Sequence, residues 1–276
     1  MEHILSLSYG KDSLACLGAI EKLGLPLDRI IHAEIWATDT IPADLPPMIE
    51  FKKKADKIIK ERYGITVEHV SATNIDGVKK DKVTYQDGFY HQIKSGKHID
   101  SIKGFPIQKG SWCIKLKTYA LRELNGHDKY INYLGIAYDE PKRFKVLVDT
   151  QISPLVIAEW TEKMCYNWCV ENDLLSPIYA STMRGGCWFC HKQPIEQLRI
   201  LRHDYPDYWR LLLKWDSDSP ISFKSNGQTV HDYDRRFQME DMGLIYSNDS
   251  HFRWKDLDGD LQLSFFAQKE VKKSDL

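Results

Sequence analysis

Six residues near the start of the chain, Ser8-Tyr9-Gly10-Lys11-Asp12-Ser13, combine the groups that hold a phosphate. They follow a short apolar run, His3 to Leu7, and precede a helical apolar period at Leu14, Leu17, Ile20 and Leu23 that Gly24 closes. A strand, loop and helix in that order put unpaired backbone N–H groups at the positive end of a helix, where phosphate oxygens bind. Gly10 lets a backbone approach closely, Ser8 and Ser13 offer hydroxyl donors, and Lys11 offers positive charge. Asp12 is placed either to cap the helix or to hold Mg2+. The same residues also suit an ordinary capped turn, because Ser and Asp are favoured caps and Gly is a common turn residue. No Gly-x-x-x-x-Gly-Lys-Ser/Thr run is present, so the common P-loop NTPase is excluded.

A second group of residues suits metal chemistry. Cys187 and Cys190 stand two residues apart after Gly185-Gly186, a spacing that turns two thiolates toward one ion. The same spacing also serves redox exchange or packing. Cys165 and Cys169, four apart, read as one buried helix face before they read as ligands, and Cys16 reads as core. Trp188 and Phe189, between the sulfurs, also read as core.

These residues need a scaffold. His3 to Leu7, Arg29 to Trp36, Thr66 to Val70 and Tyr130 to Ile136 are strand-like. Helical patterns cover 48–62, 115–124 and 161–172. Strands separated by helices imply right-handed crossovers and a doubly wound, mostly parallel α/β sheet with ligands at the carboxyl ends of the strands. Residues 79–110 are polar and weakly periodic and read as a long excursion from the core. Residues 195–215 are amphipathic and aromatic-rich. From Asp216 onward polar residues and glycine alternate with aromatics, so the expected division is a nucleotide-binding domain over 1–215 and a mixed C-terminal extension over 216–276 packed on the core.

Composition narrows the setting. Thirty-eight Lys+Arg against thirty-nine Asp+Glu give a net charge of -1, which supplies no general field for a nucleic-acid backbone. A nucleic-acid partner would need a local basic patch. The chain lacks an apolar run long enough to span a bilayer and shows no secretory signal at Met1 to Gly10, so a soluble, cytoplasmic protein with no membrane partner is expected. Six cysteines in such a chain are not expected to form a disulfide framework.

The loop resembles the Ser-Gly-Gly-Lys-Asp-Ser signature of the PP-loop ATP pyrophosphatases, with Tyr9 in place of the first glycine, where it would narrow the loop or stack on a base. Further segments resemble the phosphoadenosine phosphosulfate reductase-like branch of that superfamily. Trp36-Ala37-Thr38-Asp39-Thr40 resembles its Asp-Thr at the end of the second strand. Gly135-Ile136-Ala137-Tyr138-Asp139-Glu140-Pro141-Lys142-Arg143 resembles its Gly-Ile-Arg-x-Asp-Glu-x-x-Arg block, with Ala137 replacing an arginine. Pro154-Leu155, Trp160-Thr161, Ser176-Pro177-Ile178-Tyr179 and Gly185-Gly186-Cys187-Trp188-Phe189-Cys190 complete the succession, which spans about residues 3 to 215. The resemblance implies an adenine nucleotide alpha hydrolase-like fold. It implies a nucleotide held by Ser8 to Ser13, Asp39, Thr40, Gly135, Asp139 and Glu140, with Lys11, Asp12 and Arg143 acting on the phosphates. Arg143 would fork onto a phosphate, and Asp139 or Glu140 would orient it or bind metal.

The same resemblance places Cys113 with Cys187 and Cys190. Three thiolates suit a [4Fe-4S] cluster with one open iron; the alternative, Zn2+, needs a fourth ligand, for which His191 is adjacent and Cys165 or Cys169 is a further candidate. The implied function is cleavage of ATP to AMP and pyrophosphate, adenylating an unknown acceptor for sulfur chemistry at that centre, with nucleobases, nucleic acids and small metabolites as candidate acceptors. One alternative is a sulfonucleotide reductase-like enzyme, although the tail SFFAQKEVKKSDL lacks the nucleophilic cysteine of those reductases. Another is a nucleotide sensor or accessory subunit with a structural zinc, and a homo-oligomer is compatible with all three. Replacing Cys113, Cys187 or Cys190 by serine is expected to lose the metal, and C165S and C169S to retain it, as measured by metal analysis of the purified variants. Loss confined to the Cys165 and Cys169 variants would instead assign a zinc site to the C-terminal half.

Overall fold

The computed structural model describes residues 1–38, 40–71, 91–92, 102–103, 117, 121, 130–181, 186–219, 221–248 and 252–254. Its strands are β1 (Glu2–Ser6), β2 (Arg29–Ala33), β3 (Val67–Val70), β4 (His91–Gln92), β5 (Ile102–Lys103), β6 (Tyr130–Tyr133) and β7 (Gln151–Ile152). Five of them form a sheet in the order β3-β2-β1-β6-β7, with every neighbouring pair parallel. β4 and β5 form a separate antiparallel pair. The molecule is therefore α/β, with a five-stranded all-parallel sheet flanked by helices.

Parallel neighbours require crossovers, and α1 (Lys11–Leu23) and α2 (Pro46–Tyr63) supply the first two. Each ends at a left-handed glycine, Gly24 at φ 62 and Gly64 at φ 72, where a side chain would be disfavoured. α2 starts on Pro46 and Pro47, whose missing N–H groups have no partner to lose in a first turn. Alternate strand residues go to opposite faces. Leu5 and Ile30 join Leu14, Leu17 and Ile59 on one side, and Ile4, Ile31 and Val70 pack on the other. Burial of both faces is why these strands read as continuous apolar runs.

The remaining helices of the described chain are α3 (Pro141–Phe144), α4 (Pro154–Ile157), α5 (Glu162–Glu171), α6 (Ile178–Ser181), α7 (Ile195–Asp204), α8 (Pro206–Asp218) and α9 (Val230–Asp241). The amphipathic run 195–215 is thus two helices, broken where Pro206 cannot continue the first. The chain divides into two compact units. One comprises Met1–Gln86 with Gly110–Phe189, the other Asp87–Lys109 with Cys190–Leu276. Arg199 of α7 binds Glu240 of α9, Arg202 binds Asp234 and Asp241, and Trp209 of α8 donates to Asp234, so α7 and α8 pack with α9 in the second unit.

In the first unit the strand order reverses between β1 and β6, because the chain steps from β1 to β2 and β3 in one direction and from β6 to β7 in the other. The carboxyl ends flanking such a reversal form the crevice in which open α/β sheets bind ligands. Gly135, just beyond β6, faces the start of α1 there. A β-carbon on it would lie 2.5 Å from the Ser13 nitrogen, 2.6 Å from the Ser13 α-carbon and 2.7 Å from the Asp12 carbonyl carbon. These are backbone atoms and cannot swing aside. Gly135→Ala is expected to destabilise the first unit by about 1–3 kcal/mol through overpacking, read as a lowered denaturant midpoint; an unchanged midpoint would show that the two segments separate freely.

Candidate functional site

The loop between β1 and α1 is knitted by its own hydroxyls. Ser8 Oγ donates to Ser13 Oγ at 2.9 Å, Ser13 Oγ donates to the Gly10 carbonyl at 2.9 Å, and the Ser8 amide donates to Ser13 Oγ at 3.1 Å. Both serine hydroxyls, expected as phosphate donors, thus spend their protons inside the loop. The Lys11 amide donates to Tyr179 Oη at 3.1 Å, so a neutral oxygen sits on one N–H of the first turn of α1. Gly10 has φ -75, and an added β-carbon would make only ordinary contacts, 3.5 Å to Ser8 Oγ and 3.6 Å to Tyr179 Oη. The fold itself does not require a glycine at position 10.

Tyr9 departs from the expected role. Its side chain is fully buried, so it neither narrows the mouth of the loop nor offers a face to a base. The backbone takes the left-handed conformation, φ 57, which directs the ring inward. The hydroxyl donates to Asp56 and lies 3.0 Å from His69 Nε2. His69 Nε2 is also 2.9 Å from the other Asp56 oxygen, and His69 Nδ1 is 3.0 Å from Glu34. The ring stands edge-on to His32, 4.8 Å between centroids, with the Lys52 ammonium 5.3 Å from its centre. His32 Nδ1 lies 2.8 Å from the Leu7 carbonyl, which only accepts, so Nδ1 carries the proton and Nε2 accepts from Lys52 at 2.8 Å. Lys52 in turn pairs with Asp44. Polar groups of β2, β3 and α2 therefore grip the chain on both sides of Ser8.

The charges of this cluster follow from its partners. Burial and then the Asp56 hydrogen bond push the Tyr9 hydroxyl far above its ordinary value, so it remains a donor. Hydrogen bonds from Asp56 and Glu34 raise His69 to about 9, making it an imidazolium at neutral pH. Its hydrogen bond holds Glu34 below the usual carboxylate range. Burial, with Lys52 beside it, keeps His32 neutral.

On the outer side of the loop, one oxygen each from Asp12, Glu140 and Glu162 lies within 4.8 Å of the others. Lys11 Nζ reaches Asp12 at 2.7 Å and Glu162 at 3.4 Å. Arg143, largely exposed, donates to both Glu140 oxygens at 2.8 Å. The Ala137 amide also donates to Glu140, at 3.2 Å. Asp139 accepts from the Glu162 amide at 3.0 Å and so sets the start of α5 against the loop. Burial raises the Asp12 carboxyl, Lys11 opposes this, and the charges of Glu162 and Glu140 reinforce it. Burial lowers Lys11, but the hydrogen bond and charge of Asp12 outweigh it and leave it raised. Three oxygen donors of this kind fit a hard cation such as Mg2+.

Other expected residues fall as follows. Asp39 and Cys113 lie outside the described residues, as do Gly185 and most of 79–110 and 115–124. Thr40 is exposed, and its amide and that of Ile41 donate to Thr38 Oγ1, which makes this segment a hydroxyl-closed turn. Trp188 is buried, with its amide on the Ala43 carbonyl and its indole on that of Pro42, so the backbone beside Cys187 docks on the segment after β2. Cys187 and Cys190, both partly buried, fall on either side of the division between the two units. Cys16, Cys165 and Cys169 are fully buried in the core. Burial pushes Cys165 and Cys169 up to about 12, which keeps them as thiols.

Glu162, Asp56 and His69 escaped sequence reasoning, and Tyr179 was given no role beyond its place in the Ser176-Pro177-Ile178-Tyr179 segment. Glu162 had the nearest signal, since it follows Thr161, the N-cap of α5, inside the Trp160-Thr161 segment. Comparison with family models, with curated proteins and with solved structures gives no match.

The His69 pairing makes stability depend on pH. Its value in the folded chain, about 9, exceeds the ordinary 6.5, so the stabilisation is complete below 6.5 and is lost as pH rises through 9. The melting temperature is expected to fall between about pH 6.5 and 9.5, and His69→Gln to flatten that fall. An equal fall in the variant would remove His69 as its source.

Proposed function

We propose that this protein is an adenine-nucleotide-binding enzyme of the PP-loop ATP pyrophosphatase kind, with an adenine nucleotide alpha hydrolase-like fold. It cleaves ATP to AMP and pyrophosphate and adenylates an acceptor for sulfur chemistry at a metal centre held by Cys113, Cys187 and Cys190. The observation that carries this reading is the meeting, at the strand-order reversal, of the N-terminus of α1 with a carboxylate trio. Gly135 brings the β6 end against Ser13, and Asp12, Glu140 and Glu162 converge around Lys11. A helix start favours phosphate, and three carboxylates favour the cation that accompanies it.

In this reading a phosphate oxygen replaces Tyr179 Oη on the Lys11 amide, and Gly10 leaves room for it. Mg2+ held by Asp12, Glu140 and Glu162 would neutralise phosphate charge. Lys11 and Arg143, released from their carboxylate partners, then bind phosphate oxygens. An acceptor oxygen or other nucleophile attacks the α-phosphorus, the bond to the α–β bridging oxygen breaks, and pyrophosphate leaves with the bonding electrons. Positive charge at Lys11 and Arg143 matters most as that leaving group develops negative charge.

Calorimetry with ATP and Mg2+ tests the reading. Asp12→Ala is expected to abolish the Mg2+-dependent part of binding with the fold intact. Gly10→Ala is expected to change stability by no more than about 0.5 kcal/mol, because the added methyl meets no hard contact. Its nucleotide affinity is expected to fall about tenfold, roughly 1.4 kcal/mol. ATP binding unchanged in both variants would remove the loop from the site.

A further inference from the structure

The Tyr9 side chain occupies an unusual position for a residue in a nucleotide loop. It stands in the left-handed region, which disfavours a non-glycine residue, and that conformation persists only where surrounding contacts impose it. The contacts are specific. The hydroxyl is shared between Asp56 of α2 and His69 of β3, His69 is held from its other nitrogen by Glu34, and the ring is boxed by His32 and Lys52. The reaction proposed above does not use these groups. Their common effect is on the backbone on either side of Ser8, through the Tyr9 hydroxyl on one side and the Leu7 carbonyl on the other.

We propose that Asp56 and His69 are positioning residues for the phosphate loop, which through the Tyr9 hydroxyl hold residues 8–13 in the shape that presents the amides of residues 10–13 to a nucleotide. Tyr9 thereby achieves with a side-chain tether what a glycine at this place would achieve by backbone freedom. The functional half of this inference rests on the nucleotide-binding reading, and the loop shape can be measured without it. Tyr9→Phe keeps the buried ring and removes only the oxygen that Asp56 and His69 hold. Tyr9→Gly relieves the left-handed backbone and removes the tether.

The experiment measures amide hydrogen exchange of the peptide covering residues 8–14 in the nucleotide-free full chain, the melting temperature, and calorimetric affinity for ATP with Mg2+. In Tyr9→Phe the loop amides are expected to exchange about tenfold faster than in the parent, with exchange in β1 and the body of α1 unchanged. Its ATP affinity is expected to drop about tenfold. Tyr9→Gly should show the same faster exchange despite its relieved backbone. Asp56→Ala, which removes the acceptor, should match Tyr9→Phe, and the double variant should be no worse than either alone, as residues acting through one tether are not additive. Loop exchange in Tyr9→Phe equal to that of the parent overturns the proposal, as does slower exchange in Tyr9→Gly or full additivity of Tyr9→Phe with Asp56→Ala. A parent chain that binds no ATP refutes the nucleotide reading, while the exchange data still decide whether the tether exists.

Discussion

The backbone of Ser13 stands where a β-carbon on residue 135 would have to be. That exclusion fixes how closely the chain leaving β6 can lie against the beginning of α1, and both sides of the candidate site depend on it. Were the two segments further apart, Glu140, five residues beyond Gly135, would not reach Asp12. Asp139 would not meet the Glu162 amide to bring the third carboxylate in. A single missing side chain thus assembles groups from three elements that are distant in sequence.

The loop is held from below by different means. Buried polar groups are costly unless they are paired, and here each one described has its partner: Tyr9 with Asp56 and His69, His69 with Glu34, His32 with the Leu7 carbonyl and Lys52, Lys52 with Asp44. Such a network gains little over an apolar core of equal volume, and its benefit is definition of one geometry. The outer carboxylates differ. They lie within 4.8 Å of one another, Lys11 and Arg143 balance them in part, and burial and the acidic neighbours raise Asp12. A hydrogen-bonded floor beneath a loop and partly balanced negative charge above it suit a site that receives a cation and an anion together.

Much of the scaffold was legible in the sequence because local signals and the global fold agree. The apolar run before Ser8, the period at Leu14, Leu17 and Ile20, and the glycines at 24 and 64 each point to the same strand, helix and stop. The candidate site was legible where its residues share a segment, as in Lys11 with Asp12 or Glu140 with Arg143. It was hidden where the partner lies elsewhere: nothing around Asp56 or His69 indicates that they meet Tyr9, 47 and 60 residues earlier. Tyr9 itself misleads, since a tyrosine in a polar loop suggests a surface for a base, and only the sign of φ turns it inward. The break at Pro206 was missed because the amphipathic pattern continues across it.

The most direct measurement is a crystal structure of the protein with Mg2+ and an ATP analogue whose α–β bridging oxygen is replaced by methylene, so that cleavage at that bond is blocked. The account expects the phosphates on the amides of residues 10–13, Mg2+ among Asp12, Glu140 and Glu162, and Tyr179 Oη displaced from the Lys11 amide. An analogue bound elsewhere, or phosphates directed away from the start of α1, would contradict it.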